Sequence, residues 1–82
     1  MLRGIIRGHI VSTKKQEALI GSKFMEVDIL KNGVLTGEFI IAVDSGGAGI
    51  NEEVLITTGS SARLALHNAN APCDAVIVGI VD

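Results

Sequence analysis

The side chains with catalytic potential in this sequence are two histidines, two adjacent serines, a cysteine and an aspartate. They are His9, His67, Ser60, Ser61, Cys73 and Asp74. A Ser–His–Asp triad would need Ser60 or Ser61 with His67 and Asp74, but six or seven residues along one short helix do not bring a serine hydroxyl to an imidazole. The sequence also has no Gly-x-Ser-x-Gly elbow. No catalytic residues are predicted, and the chain is not expected to be an enzyme.

The sequence also lacks a residue pattern that indicates a metal or cofactor site. Neither His9 nor His67 has a cysteine or carboxylate at metal-ligand spacing, so no metal and no cofactor are assigned. The single cysteine, Cys73, cannot form an internal disulfide, and a reducing cytoplasm is the expected compartment. Cys73 has no adjacent base, which indicates a small buried or half-buried apolar residue rather than a nucleophile.

A glycine-rich segment at 45–49, Ser-Gly-Gly-Ala-Gly, has the composition of a phosphate-binding loop. No Lys-Ser/Thr pair follows it, and the acidic Glu52 and Glu53 that come next would repel an anion. The segment therefore predicts a tight chain reversal that needs positive φ or a close backbone approach.

Charge and hydropathy exclude two classes of partner. The net charge is −2, the seven basic residues are scattered and aromatic residues make up 2% of the chain, so neither a basic groove nor stacking platforms for nucleic acid are present. No apolar run approaches the roughly 20 residues of a membrane span, and the N-terminus is unlike a signal peptide. The chain is expected to be soluble, with no nucleic-acid or membrane partner.

The length of 82 residues allows one domain, over 1–82, with a core built from aliphatic side chains. Period-2 alternation predicts strands over 2–12, 23–31, 38–44, 53–58 and 75–81. Asn32-Gly33 predicts a turn, and Ser60 and Ser61 predict the capped start of a short helix over 61–67. The predicted fold is mainly all-β, a small five-stranded OB-like β-barrel with one short α-helix.

The alternation also predicts which side chains face inward. In the first strand one face carries Leu2, Gly4, Ile6, Gly8 and Ile10, and in the second strand one face carries Met25, Val27 and Ile29 while the other carries Phe24, Glu26, Asp28 and Leu30. Two glycines on one face predict a sharp bend of the sheet or a close approach by another backbone.

Two runs, 39–43 and 75–81, are apolar on both faces, although a strand of a small barrel needs only one apolar face. Each outward residue that loses about 80 Å² of apolar surface contributes about 2 kcal/mol before entropic costs. The cover is either a second copy of the chain or the chain's own helix and long loops. The small size favours an oligomer.

Several segments in order resemble the bacterial microcompartment vertex proteins of the EutN/CcmL family, the pentameric shell proteins. The strongest are Ala-Val-Asp-Ser-Gly-Gly-Ala-Gly at 42–49, Glu-Val-Leu-Ile at 53–56 and Gly-Ser-Ser-Ala-Arg at 59–63, with support from 8–14, 19–24 and 74–82. The resemblance covers nearly the whole chain. Phe24-Met25 departs from the Leu-Leu that is common in the family, which is a change of packing.

The resemblance implies a non-catalytic homopentamer with a small central opening, placed at the corners of a polyhedral shell among hexameric shell proteins in the cytoplasm. On this interpretation Gly46, Gly47, Ala48 and Gly49 approach the ring axis or a subunit boundary. Structural polar roles are expected for Asp44, Ser60, Ser61 and Arg63, with Arg63 bonded to loop carbonyls or to a neighbouring subunit's carboxylate. The alternative is a free OB-like barrel that binds a small ligand or a protein partner.

Overall fold

A computed structural model describes residues 1–11, 23–44, 46–66 and 73–82. The elements in this part of the chain are β1 Leu2–Ile10, β2 Lys23–Lys31, β3 Val34–Asp44, β4 Glu53–Thr58, α1 Ser60–Ala65 and β5 Ala75–Ile80. The strands close into a barrel in the order β1-β2-β3-β5-β4. Every neighbouring pair is antiparallel except β3 and β5, which are parallel. The predicted five-stranded OB-like barrel with one short helix is confirmed.

The predicted turn at Asn32-Gly33 is confirmed, but the predicted bounds of three strands are wrong. β2 and β4 begin and end as predicted, whereas β3 begins at Val34 rather than at residue 38. Asn32 and Gly33 both have positive φ, 54° and 78°, so a two-residue turn lets Val34 pair with Lys31 at once. β1 ends at Ile10 and β5 at Ile80, so the prediction that Val11 and Val81 belong to these strands is wrong, while residue 12 lies outside the described residues.

The barrel interior is filled by aliphatic side chains from all five strands, as the composition predicts. The central cluster contains Ile6, Met25, Val27, Ala42, Ala48, Val54, Ile56, Ala75 and Ile77. The inward positions predicted for β2 are confirmed, because Met25, Val27 and Ile29 are all buried. At about 25 cal/mol per Å² of apolar surface, each large side chain here stabilises the barrel by roughly 1.5–3 kcal/mol.

Two irregularities in strand pairing overturn parts of the predicted alternation. The register shifts between Ile6 and Gly8, so Arg7 is an extra residue in β1 and Ile10 is exposed instead of sharing the buried face of Ile6. A second shift between Asp28 and Leu30 accompanies the burial of Leu30, which was predicted to share a face with Asp28. An extra residue at a β-bulge reverses which side chains point inward beyond it, so a strict two-residue alternation gives the wrong face there.

Gly4 is required by a close approach between β1 and β2. A Cβ atom at this position would lie 2.5 Å from Val27 Cγ1 and 2.6 Å from the backbone oxygen of Asp28. At Gly8 the nearest atom would be Glu26 Oε2 at 3.8 Å, an ordinary contact. The close approach predicted from the paired glycines is therefore found at Gly4 and not at Gly8.

Helix α1 starts in a different way from the prediction. Its N-cap is Gly59, with φ 69°, and neither Ser60 nor Ser61 makes a side-chain capping hydrogen bond. The helix ends at Ala65, while His67, its predicted last residue, lies outside the described residues. Glycine at the cap is favoured because the backbone there is left-handed, which a serine side chain disfavours.

The helix covers part of the outer sheet surface. Ala62 packs in a second cluster with Val43 and Val76, and all three are buried. The small side chain of Ala62 lets the helix lie close to β3 and β5. One of the two predicted covers, the chain's own helix, therefore accounts for one outward residue of each apolar run.

Candidate subunit interface

The rest of the outer surface of β3 stays apolar and uncovered in the described part of the chain. Phe39 is 57% exposed and Ile41 is 42% exposed. Their cross-strand partners are Asp28 and Glu26, so carboxylates share the same outer face. We call Phe39 and Ile41 the β3 patch.

A cleft opens where β5 continues past the end of β3. It has a volume of about 210 Å³ and is lined by Asp44, Gly46, Ala65, Val76, Ile77, Val78 and Ile80. Val78 is 46% exposed and Ile80 is 42% exposed. Val78 is the extra residue of a bulge, because Leu55 pairs with Gly79 and Ile56 with Ile77. We call this the β5 cleft.

The β3 patch and the β5 cleft are separate surfaces. The register pairs between the parallel strands β3 and β5 are Val43 with Val76 and Asp44 with Ile77. Phe39 precedes this pairing along the strand direction and Ile80 follows it. At about 3.3 Å per residue the two positions differ by up to roughly 25 Å along the strands. Val43, which helix α1 covers, lies between the patch and the cleft.

The loop after β3 is held in place by the carboxylate of Asp44, which is 3% exposed. Its Oδ1 accepts a hydrogen bond from the N–H of Gly46 at 2.9 Å. Its Oδ2 accepts two more, from Gly47 at 3.1 Å and from Ala48 at 2.8 Å. Three donors to one buried carboxylate offset the cost of removing its charge from water. These amides are occupied by a carboxylate, so they do not form an open phosphate cradle.

A second carboxylate, Glu52, closes the same loop, and sequence reasoning missed its role. Its Oε1 accepts from the N–H of Gly49 at 2.5 Å, while its own N–H donates to the oxygen of Gly49 at 3.2 Å. Between the two carboxylates Ala48 is buried in the barrel core. A carboxylate three residues after a glycine is the signal that would have indicated this turn.

Within the predicted interface loop the four positions differ in environment. Gly46 and Gly47 are exposed, Gly49 is half-buried and Ala48 is buried. Gly47 has φ 90°, so the backbone requires glycine there, whereas Gly46 lines the β5 cleft. Placement of the loop at a ring axis or a subunit boundary stays a prediction.

The polar residues predicted on the helix make a local contact. Arg63 Nη2 donates to Ser60 Oγ at 3.2 Å, one turn earlier on α1. Ser61 is exposed at the start of the helix. Loop carbonyls are not among the partners of Arg63 in the described residues, and its expected contact with a neighbouring subunit's carboxylate stays a prediction.

The structure describes every residue considered for catalysis except His67, and the backbone oxygen of Asp74 accepts a hydrogen bond from the N–H of Gly59, the residue before Ser60, at 2.8 Å. Cys73 is half-buried against the second cluster, and its Sγ donates to the backbone oxygen of Ala75 at 3.3 Å. Asp74 and His9 are exposed, and His67 lies outside the described residues. Among residues 1–11, 23–44, 46–66 and 73–82, no group of three or more His, Cys, Asp or Glu side chains is placed to hold a metal ion. No helix in these segments is long and apolar enough to span a membrane.

Comparison with known proteins gives matches along the entire chain. The family model described as "Ethanolamine utilisation protein EutN/carboxysome" matches residues 1–82. The carboxysome shell vertex protein CcmL of Gloeobacter violaceus is 36% identical over 80 residues, covering 96% of this chain and 80% of the relative. The microcompartment shell vertex protein EutN of Salmonella typhimurium is 37% identical over 83 residues, covering 100% of this chain and 84% of the relative.

Solved structures give the same result. An ethanolamine utilization protein EutN superposes with a TM-score of 0.96 at 36% identity, covering 100% of this chain and 86% of that one. GrpN from Rhodospirillum rubrum, described as a pentameric microcompartment shell protein, gives a TM-score of 0.90 at 41% identity, covering 100% of this chain and 94% of that one. The chain belongs to the EutN/CcmL family of microcompartment shell vertex proteins.

Proposed function

We propose that five copies of this chain form a ring that caps a vertex of a bacterial microcompartment shell. The observation that carries the proposal is the match along the whole chain to shell vertex proteins, including solved relatives described as pentameric at 41% and 38% identity. The ring meets the hexameric shell proteins that form the flat faces. The role is structural and non-enzymatic, in the shell of a compartment within the cytoplasm.

The surface of the barrel supports a ring. A closed ring with an odd number of subunits requires a heterologous interface, in which each copy offers two different surfaces. The β3 patch and the exposed Val78 and Ile80 of the β5 cleft are two such surfaces, separated along the strands by the covered residue Val43. Exposed apolar groups of this kind on a monomer commonly mark an interaction site.

The small size of the chain supports association as well. A domain of 82 residues buries a limited fraction of its apolar surface when it folds alone. Burial of Phe39, Ile41, Val78 and Ile80 against neighbouring copies adds apolar contact that one barrel does not provide, at about 25 cal/mol per Å².

The first test is the mass of the purified protein by native mass spectrometry and by light scattering after size exclusion. The expected result is a discrete species of five chains of 8.5 kDa. A stable monomer or dimer at micromolar concentration would contradict the proposal and favour a free barrel that binds a ligand or a protein partner.

The vertex role needs a second test. The chain is co-expressed with a hexameric shell protein, and the particles are compared by electron microscopy with those made by the hexamer alone. We expect closed polyhedral particles that contain this chain, against open sheets or tubes without it. A chain that does not co-purify with the particles contradicts the vertex role even where it is pentameric.

A further inference from the structure

We propose that Phe39 of one copy inserts into the β5 cleft of the next copy around the ring. The inference rests on the proposed pentamer and goes beyond it, because it assigns the two surfaces that meet and the side chain that joins them. The occupant of the cleft is a second copy of this chain.

The cleft has the size and lining for a phenyl ring. Its volume is about 210 Å³, and the exposed aliphatic side chains in its lining are those of Val78 and Ile80. An apolar protein cavity of about 150 Å³ is large enough to bind benzene. Phe39 is one of two aromatic residues in the chain, and it is 57% exposed.

The polar side of the cleft is already satisfied. Asp44 lines it, but the oxygens of Asp44 accept hydrogen bonds from the backbone N–H groups of Gly46, Gly47 and Ala48. No buried side-chain nitrogen or oxygen in the described residues lacks a partner. The Asp44 carboxylate therefore keeps its hydrogen bonds when an apolar ring enters, which avoids the cost of a buried unpaired acceptor at that position.

Geometry requires that the phenyl ring come from another copy. Phe39 lies four residues before Val43, which pairs with Val76 at the near end of the cleft, so the two are about 13 Å apart along the strands, further than a phenyl side chain reaches. Phe39 of a chain therefore cannot fill the cleft of the same chain. A contact between two different surfaces repeats around a ring and closes it.

The decisive experiment is disulfide cross-linking in a background where Cys73 is replaced by alanine. The double variant Phe39→Cys/Val78→Cys should give, after mild oxidation, a ladder of covalent species on denaturing gels up to five chains. Each single variant should stay monomeric on the gel, because an isologous contact between like residues is not expected. The matched control Val34→Cys/Val78→Cys places the first cysteine at an exposed position on the same strand, and it should give no ladder.

A size test in the otherwise unchanged protein is independent of cysteine chemistry. Gly46 lines the cleft, its φ lies outside the left-handed region, and a Cβ there would meet only Asp44 Oδ1 at 3.7 Å. Gly46→Leu is therefore expected to fold and to narrow the cleft. Phe39→Ala removes the phenyl ring that is proposed to fill the cleft of the next copy. Both should raise the ring's half-dissociation concentration at least tenfold, whereas Val34→Ala should change it less than threefold. Circular dichroism of each variant verifies folding.

The outcomes separate this inference from the proposed function. A pentamer by light scattering with no ladder from Phe39→Cys/Val78→Cys, or with Phe39→Ala rings as stable as the parent, overturns the pairing and leaves the pentamer intact. A covalent dimer from either single variant indicates an isologous contact and also overturns the pairing. A parent protein that is monomeric overturns both.

Discussion

Asp44 Oδ2 accepts a hydrogen bond at 2.8 Å from the backbone N–H of Ala48, a residue whose side chain lies in the barrel core. The carboxylate therefore does two things at once. It ends β3, and it turns the chain so that Ala48 re-enters the interior while Gly46 and Gly47 remain outside. The shape of one wall of the β5 cleft depends on this carboxylate, since both Asp44 and Gly46 line it.

Replacement of Asp44 by asparagine should destabilise the barrel. The side-chain NH₂ of asparagine would face backbone N–H groups that now donate to Oδ2, from Gly47 and Ala48. Loss of hydrogen bonds to a charged, buried acceptor is expected to lower the free energy of unfolding by about 1–3 kcal/mol. Urea denaturation followed by circular dichroism measures the change, at a protein concentration held constant because assembly shifts apparent stability.

Asp28→Asn is the matched control for that substitution. Asp28 also carries a carboxylate with a charged partner, Arg7, but both side chains are 38% exposed and the distance is 3.1 Å. The same chemical change should cost less than about 1 kcal/mol there. Equal losses at the two positions would show that the loop does not depend on the buried carboxylate.

Gly4→Ala should be among the most damaging substitutions of a glycine in this chain. The added Cβ would meet a backbone oxygen of β2 at 2.6 Å, and a backbone cannot move aside as a flexible side chain does. We expect a loss of about 2 kcal/mol or more, or a failure to accumulate as soluble protein. Gly8→Ala, on the same strand with its nearest contact at 3.8 Å, serves as the control and should remain folded. Full stability of Gly4→Ala would mean that β1 and β2 are less closely packed than described.

The sequence predicts the inner face of the barrel better than its outer face, for a physical reason. Inward side chains such as those of Met25 and Val27 alternate with outward ones every two residues along a strand, and this alternation is visible in the sequence. The exposure of outward side chains depends on where β-bulges occur and on which elements pack over the sheet. Neither can be read from the residues near a given position in the sequence. Ile10 and Leu30 changed environment at shifts of register, and Val43 and Val76 were covered by a helix.

The sequence predicts the exposed apolar side chains of the candidate interface but not the cleft. Two-sided apolar runs indicated that outward side chains on β3 and β5 would need a cover, and Phe39, Ile41, Val78 and Ile80 are exposed as expected. The cleft itself was not predictable, because it is formed by tertiary placement of α1 and the glycine loop beside a bulge at Val78. Glu52 was interpreted only as a charge that repels anions, since its bond to Gly49 depends on a turn that hydropathy does not show.

The ion pair between Arg3 and Glu53 should contribute little despite its short distance. Arg3 Nε lies 2.6 Å from Glu53 Oε2, but the side chains are 51% and 27% exposed. A double-mutant cycle with Arg3→Ala and Glu53→Ala should give a coupling free energy below about 1 kcal/mol in dilute buffer. The coupling should fall further in 1 M salt, where the Debye length is about 3 Å. A larger coupling, insensitive to salt, would indicate that assembly buries the pair.

Ala62→Leu should separate α1 from the barrel. Ala62 is fully buried between the helix and the outer surface at Val43 and Val76, with room for little more than a methyl group. Overpacking at such a site is expected to cost about 1–3 kcal/mol. Because Ala65 of the same helix lines the β5 cleft, displacement of the helix should also weaken the ring. Light scattering across a dilution series and urea denaturation measure the two effects separately.

Leu64→Ala provides the control on the same helix, since Leu64 is 67% exposed. It removes apolar volume from α1 without touching the second cluster, so both the unfolding free energy and the ring stability should stay close to the parent values. If Leu64→Ala weakens the ring as strongly as Ala62→Leu does, the exposed face of α1 is itself part of the subunit contact. The loss in Ala62→Leu would then reflect damage to that face rather than displacement of the helix from the cleft.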